Sequence, residues 1–191
     1  MPGRSTSTIV LWSGGIDSTA LIAKYRRLRR VTAVHVDYGQ PAANHEKRAV
    51  RRLAIKLRVR PRFLKFTPRL PRRGWEFLGR NQILVLVALI AAPFRPATVV
   101  LGIHQGSPYY DATERFAKDM QQILDGYFGG TVRLATPFSK LSKQEVVALA
   151  RARDVPLEMT YSCQRGTAKP CRRCPSCKDR EVLLAESKPG R

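Results

Sequence analysis

Apolar and polar positions along the 191-residue chain fall into blocks with two different periods. Residues 9–12, 31–38, 62–66, 98–103 and 132–135 are short runs rich in Val, Ile and Leu, and they read as strands. The blocks between them follow the helical period. Residues 44–57 show it most clearly, with Ala49, Val50, Leu53, Ala54 and Leu57 on one face and Lys47, Arg48, Arg51, Arg52 and Lys56 on the other. Helices are also predicted over 17–29, 112–124 and 142–153, the last opened by Ser142 with Glu145 three residues on, a capping box. Residues 81–92 are almost wholly apolar, which predicts a helix buried on most sides. Strands separated by helices predict an α/β fold, a doubly wound and mostly parallel sheet covered on both faces. Composition shifts only after Pro156, dividing the chain into a core over 1–156 and a tail over 157–191 packed on it as one domain.

Length and 43% apolar residues suit a single substantial core. The longest apolar run, residues 83–92, is about half of the roughly 20 residues a membrane span needs, and the run at 9–12 is too short for a secretory leader. A cytoplasmic protein with no membrane partner is expected. Charge alters this picture: 35 basic against 14 acidic residues give +21, which bears on partners rather than on fold. Residues 47–73 hold twelve of the cations and no acid, and five of them lie on the polar face of the 44–57 helix. A solvated face is the plain alternative. Mutual repulsion along such a strip favours a counter-charge, so an acidic protein or a nucleic acid is the expected partner, without base-specific readout.

The stretch TIVLWSGGIDSTALIAKY, residues 8–25, carries the chemistry. A strand runs into Ser13, Gly14 and Gly15, then Ile16, Asp17, Ser18 and Thr19 open a helix. In an open parallel sheet this first strand-to-helix turn is where phosphate docks. Glycines let backbone N–H groups approach an anion, hydroxyls donate, and the helix N-terminus favours negative charge. No lysine follows the second glycine, so this is not the common P-loop. The acid Asp17 inside such a loop calls for a divalent cation or a substrate amine. A tight turn with Asp17 and Ser18 as caps is the competing reading.

Cys163, Cys171, Cys174 and Cys177 are the chain's four cysteines, spaced C-x7-C-x2-C-x2-C. That pattern reads as a closed four-thiolate zinc site of structural type. A reducing compartment argues against disulfides, and an iron–sulfur cluster fits four thiolates as well. His35 on the second strand suits a core position.

Ser13 to Ser18 resembles the SGGxDS loop of the N-type ATP pyrophosphatases (PP-loop superfamily), whose fold is a doubly wound sheet of the adenine nucleotide alpha hydrolase kind. Together with the cysteine tail, VDYGQ at 36–40, GRN at 79–81 and LSKQEVVALA from 141, it resembles the 7-cyano-7-deazaguanine synthase (QueC) family over nearly the whole chain. The resemblance implies an AMP-producing ligase that uses ATP, Mg2+ and Zn2+. It would adenylate 7-carboxy-7-deazaguanine, capture the acyl-adenylate with ammonia, and dehydrate the amide to the nitrile with a second ATP. It further implies that Ser13, Gly14, Gly15, Ile16, Asp17, Ser18 and Thr19 bind ATP. Lys143 would neutralise the α-phosphate, or be an exposed helix lysine. Asp37, Arg80 and Asp111 are further catalytic or substrate-binding candidates, with a surface position the alternative for Arg80. A homodimer is expected, and the source of ammonia stays open. The alternative reading is a diverged QueC-like enzyme acting on another carboxylate, on a protein or an RNA. A nucleotide-binding module without catalysis, its zinc tail a docking surface, is the reading from a different class.

Overall fold

In a computed structural model, describing residues 6–66, 69–91 and 96–185, β1 (Ser7–Leu11), β2 (Val31–Asp37), β3 (Pro61–Lys65), β6 (Ala97–Val100) and β7 (Val132–Ala135) form one parallel sheet in the order β3-β2-β1-β6-β7. The chain first winds outward from β1 to β3 and then from β6 to β7, so the order reverses between β1 and β6. Loops leaving the carboxyl ends of those two strands therefore diverge and open a crevice, the usual ligand position in such sheets.

Side chains alternate across the strands and build two cores. Val10, Trp12 and Ala33 face α1 (Ile16–Tyr25), α2 (Ala43–Leu57) and α5 (Lys143–Arg151). Ile9, Leu11, Val34 and Val36 face α3 (Arg80–Ile90) and α4 (Glu114–Phe128). The apolar face of α2 is the expected one, with Ala49, Val50, Leu53, Ala54 and Leu57 buried. The capping box of α5 is also present: Glu145 N–H donates to Ser142 Oγ at 3.2 Å, and Ser142 N–H donates to Glu145 Oε2 at 2.7 Å.

Several boundaries differ from expectation. Helix α1 ends at Tyr25 rather than residue 29: Arg26 is its C-cap, with its N–H bonded to the Ile22 carbonyl at 2.8 Å and its side chain donating to the Leu57 carbonyl at 3.0 Å at the end of α2. Strand β6 stops at Val100 although residues 101–103 continue its apolar run; Gly102 passes so close to α1 that a Cβ there would lie 3.2 Å from Leu21 Cδ1. Helix α4 starts at Glu114, with Thr113 as its cap accepting from Phe116 N–H at 3.1 Å, and it runs on to Phe128.

Helix α3 corrects the expectation of burial on most sides. Only Asn81, Val85 and Ala88 are buried, while Ile90 is 81% exposed and Leu86 37%. Among the described residues the helix covers one face of the sheet and leaves its outer side exposed, so an apolar composition does not suffice to bury it. Residue 92, its expected last residue, lies outside the described residues, as do Thr67 and Pro68 of the preceding connection.

Two elements carried no legible signal. A two-stranded antiparallel hairpin, β4 (Arg72–Arg73) and β5 (Glu76–Phe77), occupies the connection before α3. Helix α6 (Pro175–Ala185) closes the cysteine tail and sends Leu183 into the core beside α5. No helix among the described residues is long and apolar enough to cross a membrane.

Candidate active site

A cavity of about 440 Å3 opens beyond the carboxyl ends of β1, β2 and β6, within the roughly 300–1,000 Å3 range of small-molecule sites. Ser13, Gly15, Ile16, Asp17 and Ser18 of the first loop line it. Gly14 takes φ +83, a left-handed conformation that costs glycine little, and a Cβ there would press on Ala49 and the Glu46 carbonyl of α2 at 3.2 Å. The loop is held from inside. Ser18 Oγ accepts from Ser13 N–H at 3.2 Å and lies 3.0 Å from Ser13 Oγ. Thr19 is fully buried, and its Oγ1 accepts from the Trp12 indole N–H at 3.0 Å. Its hydroxyl thus supports the loop from the core and does not line the cavity, unlike the direct contact expected of it.

Asp17 and Lys143 converge across 126 positions of sequence: Lys143 Nζ, at the first turn of α5, donates to Asp17 Oδ2. Asp17 Oδ1 is buried without a partner among the described residues. A carboxylate with one oxygen paired to an ammonium and the other orphaned is suited to a cation, and Mg2+, which takes one or two carboxylates alongside substrate phosphates, fits this donor set.

Arg80 lines the same cavity, its Nε donating to Asn81 Oδ1 at 3.1 Å. Asp37 and Asp111 do not. Asp37 Oδ1 accepts from Gly39 N–H at 3.0 Å in the turn after β2. Asp111 is buried behind the start of α3, where its Oδ2 accepts from Asn81 N–H at 3.0 Å and its carbonyl from Asn81 Nδ2 at 2.8 Å. These contacts make Asp111 an anchor of the helix N-terminus, a place where an anionic side chain is favoured. His35 is buried, with Nδ1 3.0 Å from the Trp12 carbonyl, and burial holds its pKa below the usual value.

Residues not named individually as site candidates in the sequence complete the wall. Tyr38, Trp75, Phe77 and Tyr109 line it with aromatic surface, and Arg72 joins them from the hairpin. Glu46, from the first turns of α2, also lines it; its Oε2 accepts from Gln40 Nε2 at 2.7 Å. Burial raises the Glu46 carboxyl from 4.5 to about 7, against the opposing effects of Gln40 and Arg80. The same burial pushes the Tyr38 phenol up to about 12. Glu46 reads in the sequence as one more polar residue of a cationic helix, which is why periodicity does not distinguish it.

The tail forms the rest. Tyr161 N–H donates to the Gly14 carbonyl at 2.9 Å, and the Tyr161 ring stacks on His45 at 5.2 Å. Gly166 is so tightly seated that a Cβ would lie 2.0 Å from the Pro41 carbonyl oxygen. Behind these contacts the ligand atoms of Cys163, Cys171, Cys174 and Cys177 lie within 4.8 Å of one another. The 3.9 Å between Cys171 and Cys177 Sγ matches the edge of about 3.8 Å that four Zn–S bonds of 2.3 Å define in a tetrahedron. The donor set therefore fits a four-thiolate metal such as Zn2+.

Among solved structures, NMN synthetase from Francisella tularensis superimposes with a TM-score of 0.53 at 12% identity, covering 98% of this chain and 80% of that one, a likeness of fold. A 7-cyano-7-deazaguanine synthase of Sulfurihydrogenibium sp. (strain YO3AOP1) is 27% identical over 96% of both chains. One of Aliarcobacter butzleri (strain RM4018) is 31% identical over 89% of this chain and 87% of its own. The model of the family described as queuosine biosynthesis protein QueC matches residues 7–69 and 77–188, a match interrupted at the hairpin. With the loop, the GRN segment, the α5 lysine and the cysteine tail all inside the matched residues, the chain belongs to the QueC family.

Proposed function

We propose that this chain is an enzyme of 7-cyano-7-deazaguanine synthesis, which activates 7-carboxy-7-deazaguanine with ATP and converts it with ammonia to the nitrile. The pairing of Asp17 with Lys143 carries the reading: a cation-ready carboxylate and an ammonium sit together at the phosphate loop, in a cavity whose other wall is aromatic. Membership of the family and relatives named as synthases support it.

A carboxylate is a poor electrophile with a poor leaving group. Its attack on the α-phosphorus forms a C–O–P link and releases pyrophosphate, and AMP then serves as the leaving group. In this reading the hydroxyls of Ser13 and Ser18, with the backbone N–H groups at Gly15 and the N-terminus of α1, hold the phosphates, and Gly14 and Ile16 shape the turn. Asp17 would hold Mg2+, which supplies charge neutralisation on the leaving pyrophosphate. Lys143 stabilises the α-phosphate as charge develops there. Glu46, poised near neutral pH, takes the proton as ammonia adds to the acyl carbon and AMP departs with the bonding electrons. Arg80 completes the positive wall of the acceptor half. Asp37 and Asp111 shape the turns behind it.

The tail over 157–191 works as one unit with the core over 1–156, with Zn2+ held by the four thiolates fixing the segment that bonds the Gly14 carbonyl. Two association surfaces belong to the same reading. The outward apolar residues of α3, Leu86 and Ile90, suit a second copy of the chain, and the cationic strip over 47–73 suits a polyanionic partner. The deciding experiment is incubation with ATP, Mg2+, ammonium and 7-carboxy-7-deazaguanine, with mass detection of amide and nitrile. Formation of both supports the reading. AMP formation without either, in the presence of other carboxylates, would move the activity to a different acceptor.

A further inference from the structure

The hairpin β4–β5 carries the part of the cavity wall that the family match skips, residues 70–76, with Phe77 just inside the match. Its one cavity-facing cation is Arg72. The guanidinium lies 5.4 Å from the ring centroids of both Trp75 and Phe77, and the Phe77 ring meets Tyr38 edge-on at 5.4 Å. Arg72 Nε donates to the Gly74 carbonyl at 2.6 Å across the turn. Gly74 adopts φ +58 there, a conformation that most side chains resist. One edge of the guanidinium is thus spent on the hairpin itself. Its terminal nitrogens make no hydrogen bond or ion pair among the described residues.

Each feature points to recognition of a carboxylate. Two aromatic rings and a backbone bond fix the plane of the side chain, so less rotamer freedom is lost when it binds. The free edge offers the parallel N–H pair that matches a carboxylate. The neighbouring aromatic surface of Tyr38, Trp75 and Phe77 suits a flat heterocycle. Of the other guanidinium groups in the wall, Arg80 donates through Nε to Asn81 and is set into the start of α3, and Arg180 donates to Thr160 Oγ1 and to the Leu157 carbonyl, each at 2.6 Å.

Resting on the proposed function, we infer that Arg72 is a specificity-determining residue that selects the acid form of a flat heteroaromatic acceptor over its uncharged amide. The first activation then uses the Arg72 pair, and the second, which starts from the amide, runs without it. On attack at the α-phosphorus one carboxylate oxygen enters the C–O–P link, and the other, now a carbonyl oxygen, keeps a single bond from the guanidinium.

The test compares Arg72→Gln with the parent in two assays. In turnover, the KM for the carboxylic acid should rise roughly 10- to 100-fold, the loss of a charge-assisted pair. The KM for ATP and the amide-to-nitrile step should be unchanged. Arg72→Lys should not restore the acid KM, because an ammonium lacks the planar fork. An unchanged acid KM in Arg72→Gln, or equal losses for acid and amide, would overturn the inference and leave the functional reading intact. In binding, indole-3-carboxylate and indole-3-carboxamide serve as non-reacting probes by calorimetry. The parent should prefer the acid and Arg72→Gln should not. A parent without that preference would overturn the inference even if no deazaguanine acid is turned over.

Discussion

Asp17 places one carboxylate oxygen on Lys143 and keeps the other buried without a partner, an arrangement that costs stability unless a cation or donor completes it. Asp17→Ala should therefore leave the fold intact and lower AMP formation by roughly 100-fold or more, the scale of losing one preorganised electrostatic group. Normal turnover would remove Asp17 from the site. Glu46 makes a second prediction at this scale. Its folded pKa of about 7 lies above the 4.5 of a free carboxyl, so the folded state binds its proton more tightly. Below pH 4.5 both states are protonated and nothing is lost; from there to about pH 7 the group's contribution to stability falls as pH rises. Glu46→Gln should melt higher than the parent at pH 8, with the difference vanishing near pH 4.5. In turnover it should abolish the rise of rate through pH 7. Identical melting curves for both proteins at the two pH values would contradict the raised pKa.

The elements nearest the loop over residues 13–18 are the ones the tail holds in place. Purified protein should carry about one zinc per chain, and Cys174→Ser should lose it and unfold or aggregate, because structural zinc contributes folding free energy directly. Gly166→Ala should act through the same seam, since a methyl there meets the Pro41 carbonyl at 2.0 Å with φ +73. A fall in melting temperature together with partial loss of zinc is expected, and a wild-type melting curve would show that the tail is not sealed on the core. What was legible at this scale follows from physics. The amphipathic face of α2 and the α5 capping box are local patterns, and they can be read directly from residue order. The hairpin is too short for periodicity, and α6 has cysteines and charges where an apolar stripe would announce it. The α3 sequence is apolar all round, but how much of it is buried depends on what lies outside the sheet. Asp37 and Asp111 show the same limit in the site, because an acid at a strand end or turn serves the backbone as readily as a ligand.

Across the whole molecule, charge is the property the fold leaves least compensated. The twelve cations of residues 47–73 enter no ion pair among the described residues, and Arg48, Arg51, Arg52 and Lys56 project from α2 as exposed side chains. If that strip docks a nucleic acid, log K should fall linearly with log salt, and Arg48/Arg51/Arg52→Ala should flatten the slope by roughly one unit for each phosphate no longer neutralised. An acidic protein bound at the same strip would be displaced by salt without that dependence on duplex phosphates. A triple variant that binds every polyanion as the parent does would make the strip a solvated face. The strip reaches the cavity at Arg72, but catalysis itself is tested by how ATP is cleaved. Phosphorus NMR of a complete reaction with ATP, Mg2+, ammonium and 7-carboxy-7-deazaguanine measures that directly. AMP and pyrophosphate are expected, dependent on the acid and formed roughly 100-fold or more slowly in Asp17→Ala; ADP and phosphate, or ATP left whole while the acid is converted, would contradict adenylation.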